Sequence, residues 1–211
     1  MNIVLIGAPA SGKGSQAKLL ERDLNIRHIS TGDMFRAIMQ ENSDLGREVK
    51  FYMDKAMLVP DEVTLKVVKN RLKQPDCVNG VVFDGFPRTL PQAKELDKFL
   101  KLDAAIYLKV ELDLLIKRAE NRLICPKCHK IFIKDEYKKE DCDVCGEKLV
   151  RRKDDQKEIV VKRYEEFKEM TLPLTDYYRQ KNILTELAGE GSIQDVYKKV
   201  KEIIKDMKWL F

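Results

Sequence analysis

The chain has 211 residues, of which 44% are hydrophobic and 36% charged, and its formal net charge at pH 7 is +5. This length can bury the core of one domain with insertions, and the interleaved acidic and basic residues give no global footprint for nucleic acid. No segment reaches the ~20 apolar residues that a membrane helix needs, and the N-terminus does not resemble a secretory signal. We therefore expect a cytoplasmic protein whose cysteines are reduced.

Apolar segments with the character of β-strands alternate with helical patterns along the chain. The strand-like segments are 2–6, 26–29, 81–83, 104–110 and 183–187. This βαβα order predicts an α/β fold with a parallel sheet. The alternation is interrupted twice, by mostly helical residues from 31 to about 72 and by polar residues from about 123 to 155. Insertions at the carboxyl edge of such a sheet can form lids over a ligand.

The last predicted helix has clear start and face signals. Ser192 is an expected N-cap, with Asp195 three residues later. The helix then carries one apolar stripe at helical spacing. The stripe consists of Ile193, Val196, Val200, Ile203, Ile204 and Met207.

The first strand leads directly into a glycine-rich loop. Gly7, Gly12 and Lys13 keep the spacing of the P-loop pattern, with Gly14 inserted before the hydroxyl residue Ser15. Glycines allow consecutive backbone N–H groups to converge on an anion, and the next helix directs its positive end at the same place. Lys13 adds a mobile positive charge, and Ser15 offers a hydroxyl to a phosphate oxygen or Mg²⁺. The sequence therefore predicts a nucleoside phosphate site rather than an ordinary strand-to-helix turn.

A later strand ends in a carboxylate, and arginines gather at the borders of the two insertions. Asp84 follows the apolar run 81–83 and has the form of a Walker-B acid, although a strand-end turn residue is the alternative. Arg118 and Arg122 are four residues apart, which predicts that they share one helix face. One arginine alone is usually a solvated surface charge, but phosphoryl transfer requires positive charge around the transferred group. The arginines that favour such a site together are Arg36, Arg88, Arg118, Arg122, Arg152 and Arg163.

Four cysteines in the second insertion have the spacing of a metal site. Cys125 and Cys128 form one Cys-x-x-Cys pair, and Cys142 and Cys145 form another after thirteen intervening residues. Two such pairs complete a tetrahedral site with no open position, which predicts structural zinc and a short strand over 148–150 after the second pair. Paired disulfides and an iron centre are the alternatives. The fifth cysteine, Cys77, is expected to be a small buried hydrophobic side chain.

A zinc ribbon also suits a nucleic-acid-binding module, which is the competing class of function. The insertion has few aromatic residues, Phe132 and Tyr137, on which bases could stack. Its acidic residues, among them Glu136, Glu140 and Asp141, would repel a phosphate backbone. The charge pattern therefore disfavours this class.

Over almost the whole chain, the motifs resemble the adenylate kinase family, in particular its long-form bacterial members with a zinc-binding lid. The matching segments are 7–14, 30–34, 84–89 and 152–156, and the Asp-Gly-Phe-Pro-Arg string at 84–88 is highly specific to nucleoside monophosphate kinases. The resemblance implies a P-loop nucleoside-kinase fold, with a five-stranded parallel sheet flanked by helices. It implies three domains: a CORE domain of residues 1–29, 60–121 and 156–211, an AMP-binding domain of residues 30–59 and a zinc-binding lid of residues 122–155.

The resemblance also implies roles for individual residues. It assigns catalytic charge and alignment to Lys13, Asp84, Arg88, Arg122, Arg152 and Arg163. It implies ATP contacts for Ala10, Ser11, Gly12, Lys13, Gly14, Ser15, Arg118, Arg122, Ile131, Phe132 and Gly191. It implies AMP contacts for Thr31, Arg36, Met57, Leu58, Val59, Gly85, Phe86, Arg88, Gln92, Arg152 and Arg163. Asp154 and Asp155 would pair with lid arginines, and a cis peptide is expected before Pro87.

The activity that the resemblance implies is reversible transfer of the γ-phosphoryl group of Mg·ATP to AMP, giving two ADP. Structural Zn²⁺ and a monomer without nucleic-acid or membrane partners are implied as well. Another nucleoside monophosphate kinase, or one that uses GTP as donor, is the alternative within the same class.

The chain departs from the family pattern at four places. Ala10 stands where glycine is usual, and Ser15 replaces the commoner threonine. Residues 121–123 replace a Gly-Arg-Arg run, so one basic residue near the donor is absent. The spacer between the cysteine pairs is also short for the family. None of these changes removes a group that the chemistry requires.

Overall fold

The computed structural model describes residues 1–208, apart from the side chains of Lys153, Met207 and Lys208. Its main sheet has five parallel strands in the order β2-β3-β1-β4-β7. The predicted strands are confirmed, with ends that differ by a residue or two. They are β1 (Ile3–Ile6), β2 (Arg27–Ser30), β3 (Val81–Asp84), β4 (Ala104–Lys109) and β7 (Leu184–Ala188).

Helices connect these strands and cover both faces of the sheet. The connections include α1 (Lys13–Leu24), α4 (Asp61–Leu72), α5 (Leu90–Asp97), α6 (Leu112–Glu120), α7 (Lys157–Glu166) and α8 (Leu174–Gln180), and α9 (Ile193–Lys208) follows the last strand. Short turns of 3₁₀-helix lie at Pro75–Cys77 and Lys153–Asp155, and a π-helical turn spans Phe167–Thr171. None of the helices in residues 1–208 is both long enough and apolar enough to cross a membrane.

The alternation of side chains along β1 explains why the sheet is covered on both faces. Val4 and Ile6 pack into one core cluster with Phe83 and Leu115, whereas Ile3 and Leu5 belong to a second cluster on the other face. Both faces of a parallel sheet are covered by helices, so its strands are apolar throughout rather than alternating with polar residues.

The stripe on α9 is mostly buried, as its spacing predicts. Val196, Val200 and Ile204 are buried, and Ile203 packs against them from a half-buried position. Ile193 differs, since it is 40% exposed at the first turn. Met207 lies outside the described side chains. The predicted cap is confirmed, because the Asp195 N–H donates to Ser192 Oγ over 3.2 Å.

The helical insertion, residues 30–59, contains α2 (Thr31–Ile38) and α3 (Asp44–Asp54). Phe35, Val49 and Val59 form a small core of their own, separate from the two clusters of the sheet. Ser30 and Ser43 cap the two helices, each accepting a hydrogen bond from the N–H three residues on. The predicted helical character of this region is therefore confirmed.

The cysteine insertion, residues 122–155, contains a short antiparallel pair, β5 (Arg122–Ile124) and β6 (Ile131–Ile133). Two expectations for this region are wrong. Helix α6 ends at Glu120, so Arg118 lies on a helix and Arg122 begins a strand; the two do not share a helix face. Residues 148–150 make only isolated bridges, Asp141 to Lys148 and Ile124 to Val150, rather than a strand.

Candidate active site

The glycine-rich loop, residues 7–15, runs from the carboxyl end of β1 into the first turn of α1. Gly12 has a φ of +98° and Ala10 a φ of 64°, and this left-handed backbone turns the loop sharply. Lys13 is the first residue of α1, and its Nζ donates to the carbonyl oxygens of Gly7 over 2.7 Å and Ala8 over 2.8 Å. The loop thus folds around its own lysine, with the N–H groups of the helix start at its centre.

A cavity of about 640 Å³ opens over this loop and collects most of the predicted residues. It extends from the carboxyl ends of β1 and β3 to the connection between β7 and α9, and the cysteine insertion forms part of its wall. Its lining includes Ala10, Ser11, Gly12, Lys13, Gly14, Ser15, Arg36, Asp84, Gly85, Arg88, Arg118, Arg122, Ile131, Phe132, Arg152, Arg163 and Gly191.

A second, small cavity of about 20 Å³ lies between the helical insertion and the start of α5. It is lined by residues predicted to surround the second nucleoside, namely Thr31, Met57, Leu58, Val59, Gly85, Arg88 and Gln92. Leu58, Gly85 and Arg88 line both cavities, so the two are neighbours. Phe86 lines neither, because its side chain is fully buried and packs on Phe83 in the core of the sheet.

Burial and repulsion from neighbouring charges lower the pKa values of three basic groups at the large cavity, Lys13, Arg88 and Arg152. The pKa of Lys13 falls to about 8 because burial disfavours its charge; Asp84 opposes this, and Arg88 and Arg163 add to it. The pKa of Arg88 is lowered to about 10, chiefly by burial and secondly by repulsion from Arg163. Burial likewise lowers the pKa of Arg152 to about 10, and repulsion from Arg122 and Arg36 lowers it further. Such a set of close positive charges is suited to a polyanion.

Asp84 lies at the bottom of the cavity beside this cluster. Burial alone would raise its pKa, but the nearby His28 and the charge of Lys13 outweigh burial, so the pKa is lowered. His28 Nε2 lies 3.7 Å from Asp84 Oδ2, too far for a hydrogen bond, and has no hydrogen-bond partner among the described residues. Asp84 therefore stays ionised, as a carboxylate that orients a hydrated cation must.

Two carboxylates at the exit of the cysteine insertion pair with arginines, as the resemblance implies. Asp155 is buried, with 1% exposure, and its carboxylate accepts hydrogen bonds from Nε (2.8 Å) and Nη2 of Arg122 in a bidentate contact. Asp154 pairs with Arg163. Arg163 lies in α7, however, outside the predicted lid, so this second pair joins the insertion to the helix that follows it.

Arg118 connects the two ends of the large cavity. Its Nη2 donates to the carbonyl of Gly189 over 2.7 Å and approaches that of Gly191 at 3.4 Å, while Nη1 donates to the carbonyl of Ser11 over 3.3 Å. It thereby ties the glycine-rich loop to the connection between β7 and α9.

Sequence reasoning missed several polar residues that the fold brings to the site. His28, Asp33 and Gln16 line the large cavity, and Asp61 contacts Gln92 next to the small one. Asp61 follows Pro60, and the sequence there predicted only a turn. Gln16, His28 and Asp61 contact residues 28 to 177 positions away, so no local pattern marks them. Asp33 differs, because it pairs with Arg36 three residues along the same helix.

The four cysteines of the insertion converge, and their sulfur atoms all lie within 4.8 Å of one another. The N–H of Cys128 donates to Cys125 Sγ and that of Val144 to Cys142 Sγ, which is how thiolates in metal-binding knuckles are oriented. Bonds of about 2.3 Å to a tetrahedral zinc place sulfurs roughly 3.8 Å apart, close to the 3.4 and 3.5 Å found for two of the pairs. All five cysteines are free thiols, and Cys77 is buried, as expected. The set fits a structural metal.

Comparison with known proteins gives a consistent result over the length of the chain. The sequence model of the family described as "Adenylate kinase" matches residues 5–183. An adenylate kinase of Caldanaerobacter subterraneus subsp. tengcongensis is 46% identical over 97% of this chain and 96% of its own length. Adenylate kinases of Clostridium tetani (45%, covering 97% of this chain and 98% of its own) and Thermoanaerobacter sp. strain X514 (43%, covering 98% and 99%) are similar in extent.

Proposed function

The chain belongs to the adenylate kinase family, and from this premise we propose how its residues transfer the γ-phosphoryl group of ATP to AMP. The enzyme is an ATP:AMP phosphotransferase, and the products are two ADP. The observation that supports the assignment of residues best is the wall that the two cavities share. Arg88 and Gly85 belong to both linings, so a donor in the large cavity and an acceptor in the small one would meet at Arg88.

The donor phosphates are proposed to occupy the glycine-rich loop. The N–H groups of Ser11 to Ser15 and the start of α1 would bind phosphate oxygens, and Lys13 Nζ would exchange its carbonyl partners for the β- and γ-phosphates. Arg118 and Gly191 would hold the base at the far end of the cavity, beside Ile131 and Phe132 of the cysteine insertion.

The acceptor is proposed to bind with its phosphate between Arg36 and Arg88 and its base against the residues that line the small cavity, which would have to widen because about 20 Å³ holds only about one water molecule. Thr31, Met57 to Val59 and Gln92 would surround that base. Arg122, Arg152 and Arg163 would then neutralise charge on the phosphoryl group as it passes between the two nucleotides. Phosphoryl transfer needs alignment and charge rather than a general base, and the residues supply both.

Adenylate kinases use Mg²⁺ with ATP, and two residues here fit it. Ser15 offers a hydroxyl, and the ionised Asp84 would hold a water of the cation beside the loop. When bound with ATP, the ion neutralises charge on the phosphates.

The three-domain division follows from the same assignment. Residues 1–29, 60–121 and 156–211 would form the CORE, residues 30–59 the AMP-binding domain and residues 122–155 a zinc-binding lid that excludes water during transfer. Water must be excluded because hydrolysis of ATP would otherwise compete. We further propose a cytoplasmic monomer whose partners are the three adenine nucleotides, without nucleic-acid or membrane partners.

A coupled assay tests the proposal directly. ADP should form rapidly from ATP only when AMP is present, and rapid ADP formation from ATP alone would contradict the mechanism. Lys13→Met should lower kcat by at least about a hundredfold, the scale of one charged contact to the transition state. Lys66→Met, which removes an exposed lysine on α4, is the matched control and should keep normal kinetics.

The alternatives are addressed with the same reagents. A panel of other nucleoside monophosphates, with GTP tested as donor, should give lower kcat/KM than the AMP and ATP pair. Binding of DNA or RNA at low salt should be undetectable; salt-sensitive binding would revive the nucleic-acid class.

A further inference from the structure

Asp61, the first residue of α4, has both carboxylate oxygens occupied by side chains from the start of α5. Oδ2 accepts from Thr89 Oγ1 over 2.7 Å, and Oδ1 accepts from Gln92 Nε2 over 2.7 Å. Both partners are buried, Thr89 to 5% and Gln92 to 2% exposure. In a site this closed to water, a lost partner is not replaced, so these contacts constrain their partners strongly.

The contact with Asp61 fixes which way the amide of Gln92 points. Its oxygen, Oε1, accepts from the backbone N–H of Arg88 over 2.7 Å, while Nε2 donates to Asp61. Turning the amide over would direct its oxygen at a carboxylate and its NH₂ at a backbone N–H. A carboxylate only accepts and a backbone N–H only donates, so both contacts would become repulsive. The polarity of Gln92 is therefore determined by its surroundings.

Among the described residues, these two contacts leave one N–H and one oxygen lone pair of the amide without a partner. Gln92 lines the small cavity, which rests on the proposed function as the place of the acceptor base. A donor next to an acceptor on a side-chain amide is complementary to the adenine edge, where the 6-amino group donates and a ring nitrogen accepts. A 6-oxopurine has the reverse pattern, with an accepting oxygen beside a donating N1–H, and would need the amide turned over.

We propose that Asp61 is a specificity-determining positioning residue. Together with the backbone N–H of Arg88, it holds the Gln92 amide in one orientation, so that the acceptor site selects a 6-aminopurine monophosphate over a 6-oxopurine monophosphate. Asp61 does not touch the substrate, and its effect is transmitted through Gln92 alone.

The test compares AMP with IMP, which differ at position 6 and in the proton on N1. Asp61→Asn keeps the shape of the side chain but can donate as well as accept, so only the backbone N–H of Arg88 still opposes turning the Gln92 amide over. We expect the ratio of kcat/KM for AMP to that for IMP to fall about tenfold or more, the factor given by one hydrogen bond. The change should appear chiefly as a higher KM for AMP and a lower KM for IMP, with the KM for ATP unchanged.

Two matched variants separate orientation from stability. Glu62→Gln removes the neighbouring exposed charge on the same turn and should leave the ratio unchanged. Thr89→Ala removes the other contact of Asp61 and the cap of α5; it should lower the melting temperature while keeping the ratio. If Asp61→Asn fails to fold, Asp61→Ser, which also withdraws the fixed acceptor, replaces it.

The outcomes distinguish this inference from the function on which it rests. A wild-type enzyme that does not phosphorylate AMP, or uses IMP equally well, would overturn the proposed function and the inference together. If the wild-type enzyme prefers AMP to IMP and a folded Asp61 variant keeps the same ratio of kcat/KM values, only the role of Asp61 is overturned. A lowered ratio in Thr89→Ala as large as that in Asp61→Asn would also overturn it, because the effect would then follow the stability of α5.

Discussion

At the tip of the glycine-rich loop, Ala10 has a backbone φ of 64°, in the left-handed region that favours glycine. The alanine that replaces the usual glycine at this position therefore takes up a backbone conformation typical of glycine. A Cβ in this conformation is crowded by the adjacent peptide, which costs roughly 1–2 kcal/mol for an alanine. The loop retains this strain beside Ser11 and Gly12, which both line the large cavity.

Ala10→Gly should relieve that strain. Part of the gain is offset because glycine is more flexible in the unfolded chain, so we expect the free energy of unfolding to rise by about 0.5–1 kcal/mol. Denaturant titration measures this. Ala37→Gly, at an exposed position within α2, is the matched control and should lower the same free energy by about 0.5–1 kcal/mol. A loss of stability in both variants would show that Ala10 is not strained.

At the scale of elements, the cysteine insertion has too small an apolar core to fold by packing alone. Its buried cluster consists of Phe132 and two of the cysteines, Cys125 and Cys142, with a few half-buried neighbours. The β5–β6 pair is three residues long on each strand, and a two-stranded pair is marginal by itself. Metal ligation would therefore supply the folding free energy of this element.

Cys142→Ser should lose about one zinc per chain and loosen the insertion without unfolding the sheet. Amide hydrogen exchange in residues 122–150 should become faster by at least about 100-fold, while β1 and β4 stay protected, since local unfolding is cooperative within an element. Cys77→Ser, which alters the cysteine outside the cluster, should keep the metal and the protection. Wild-type protein with intact thiols and no bound metal would contradict the structural site.

At the scale of the whole molecule, the fold concentrates positive charge from distant parts of the chain in one cavity. Lys13, Arg88, Arg122, Arg152 and Arg163 come from five different elements or connections, and their repulsion lowers several of their pKa values. The lowered pKa of Lys13 determines how stability changes with pH. Between pH 8 and its ordinary value, the unfolded chain holds more protons at Lys13 than the folded one, so stability without a ligand rises with pH in that window.

Binding of ATP should reverse this effect, because phosphate charge favours protonated Lys13. At pH 8.5 we expect uptake of about half a proton or more per ATP bound, falling towards zero at pH 6.5, and an affinity that declines as pH rises through about 8. Calorimetry in buffers of different ionisation enthalpy measures the uptake. The uptake at pH 8.5 should be lost in Lys13→Met; its persistence there would assign the titration to another group.

The sequence by itself determined the parts of this protein that depend on local spacing. The glycine-rich loop, the strand order along the chain, the cap of α9 and the two cysteine pairs are each written within a few neighbouring residues. The cis peptide between Phe86 and Pro87 was implied by the family motif and is present. The errors were also local: the helix before Arg122 ends two residues too early for the predicted pairing with Arg118, since periodicity marks helix ends poorly.

Only the tertiary structure decided which residues meet across the chain. His28 reaches Asp84 because β2 and β3 are neighbours in the sheet, although they are separated in sequence by α2, α3 and α4. Asp61 reaches Gln92 because α4 and α5 pack together, and Arg163 pairs with Asp154 across the exit of the cysteine insertion. Such contacts follow from the packing of whole elements, and hydrophobic burial that drives this packing is not directional. The polar partners it brings together therefore leave no signal in the local sequence.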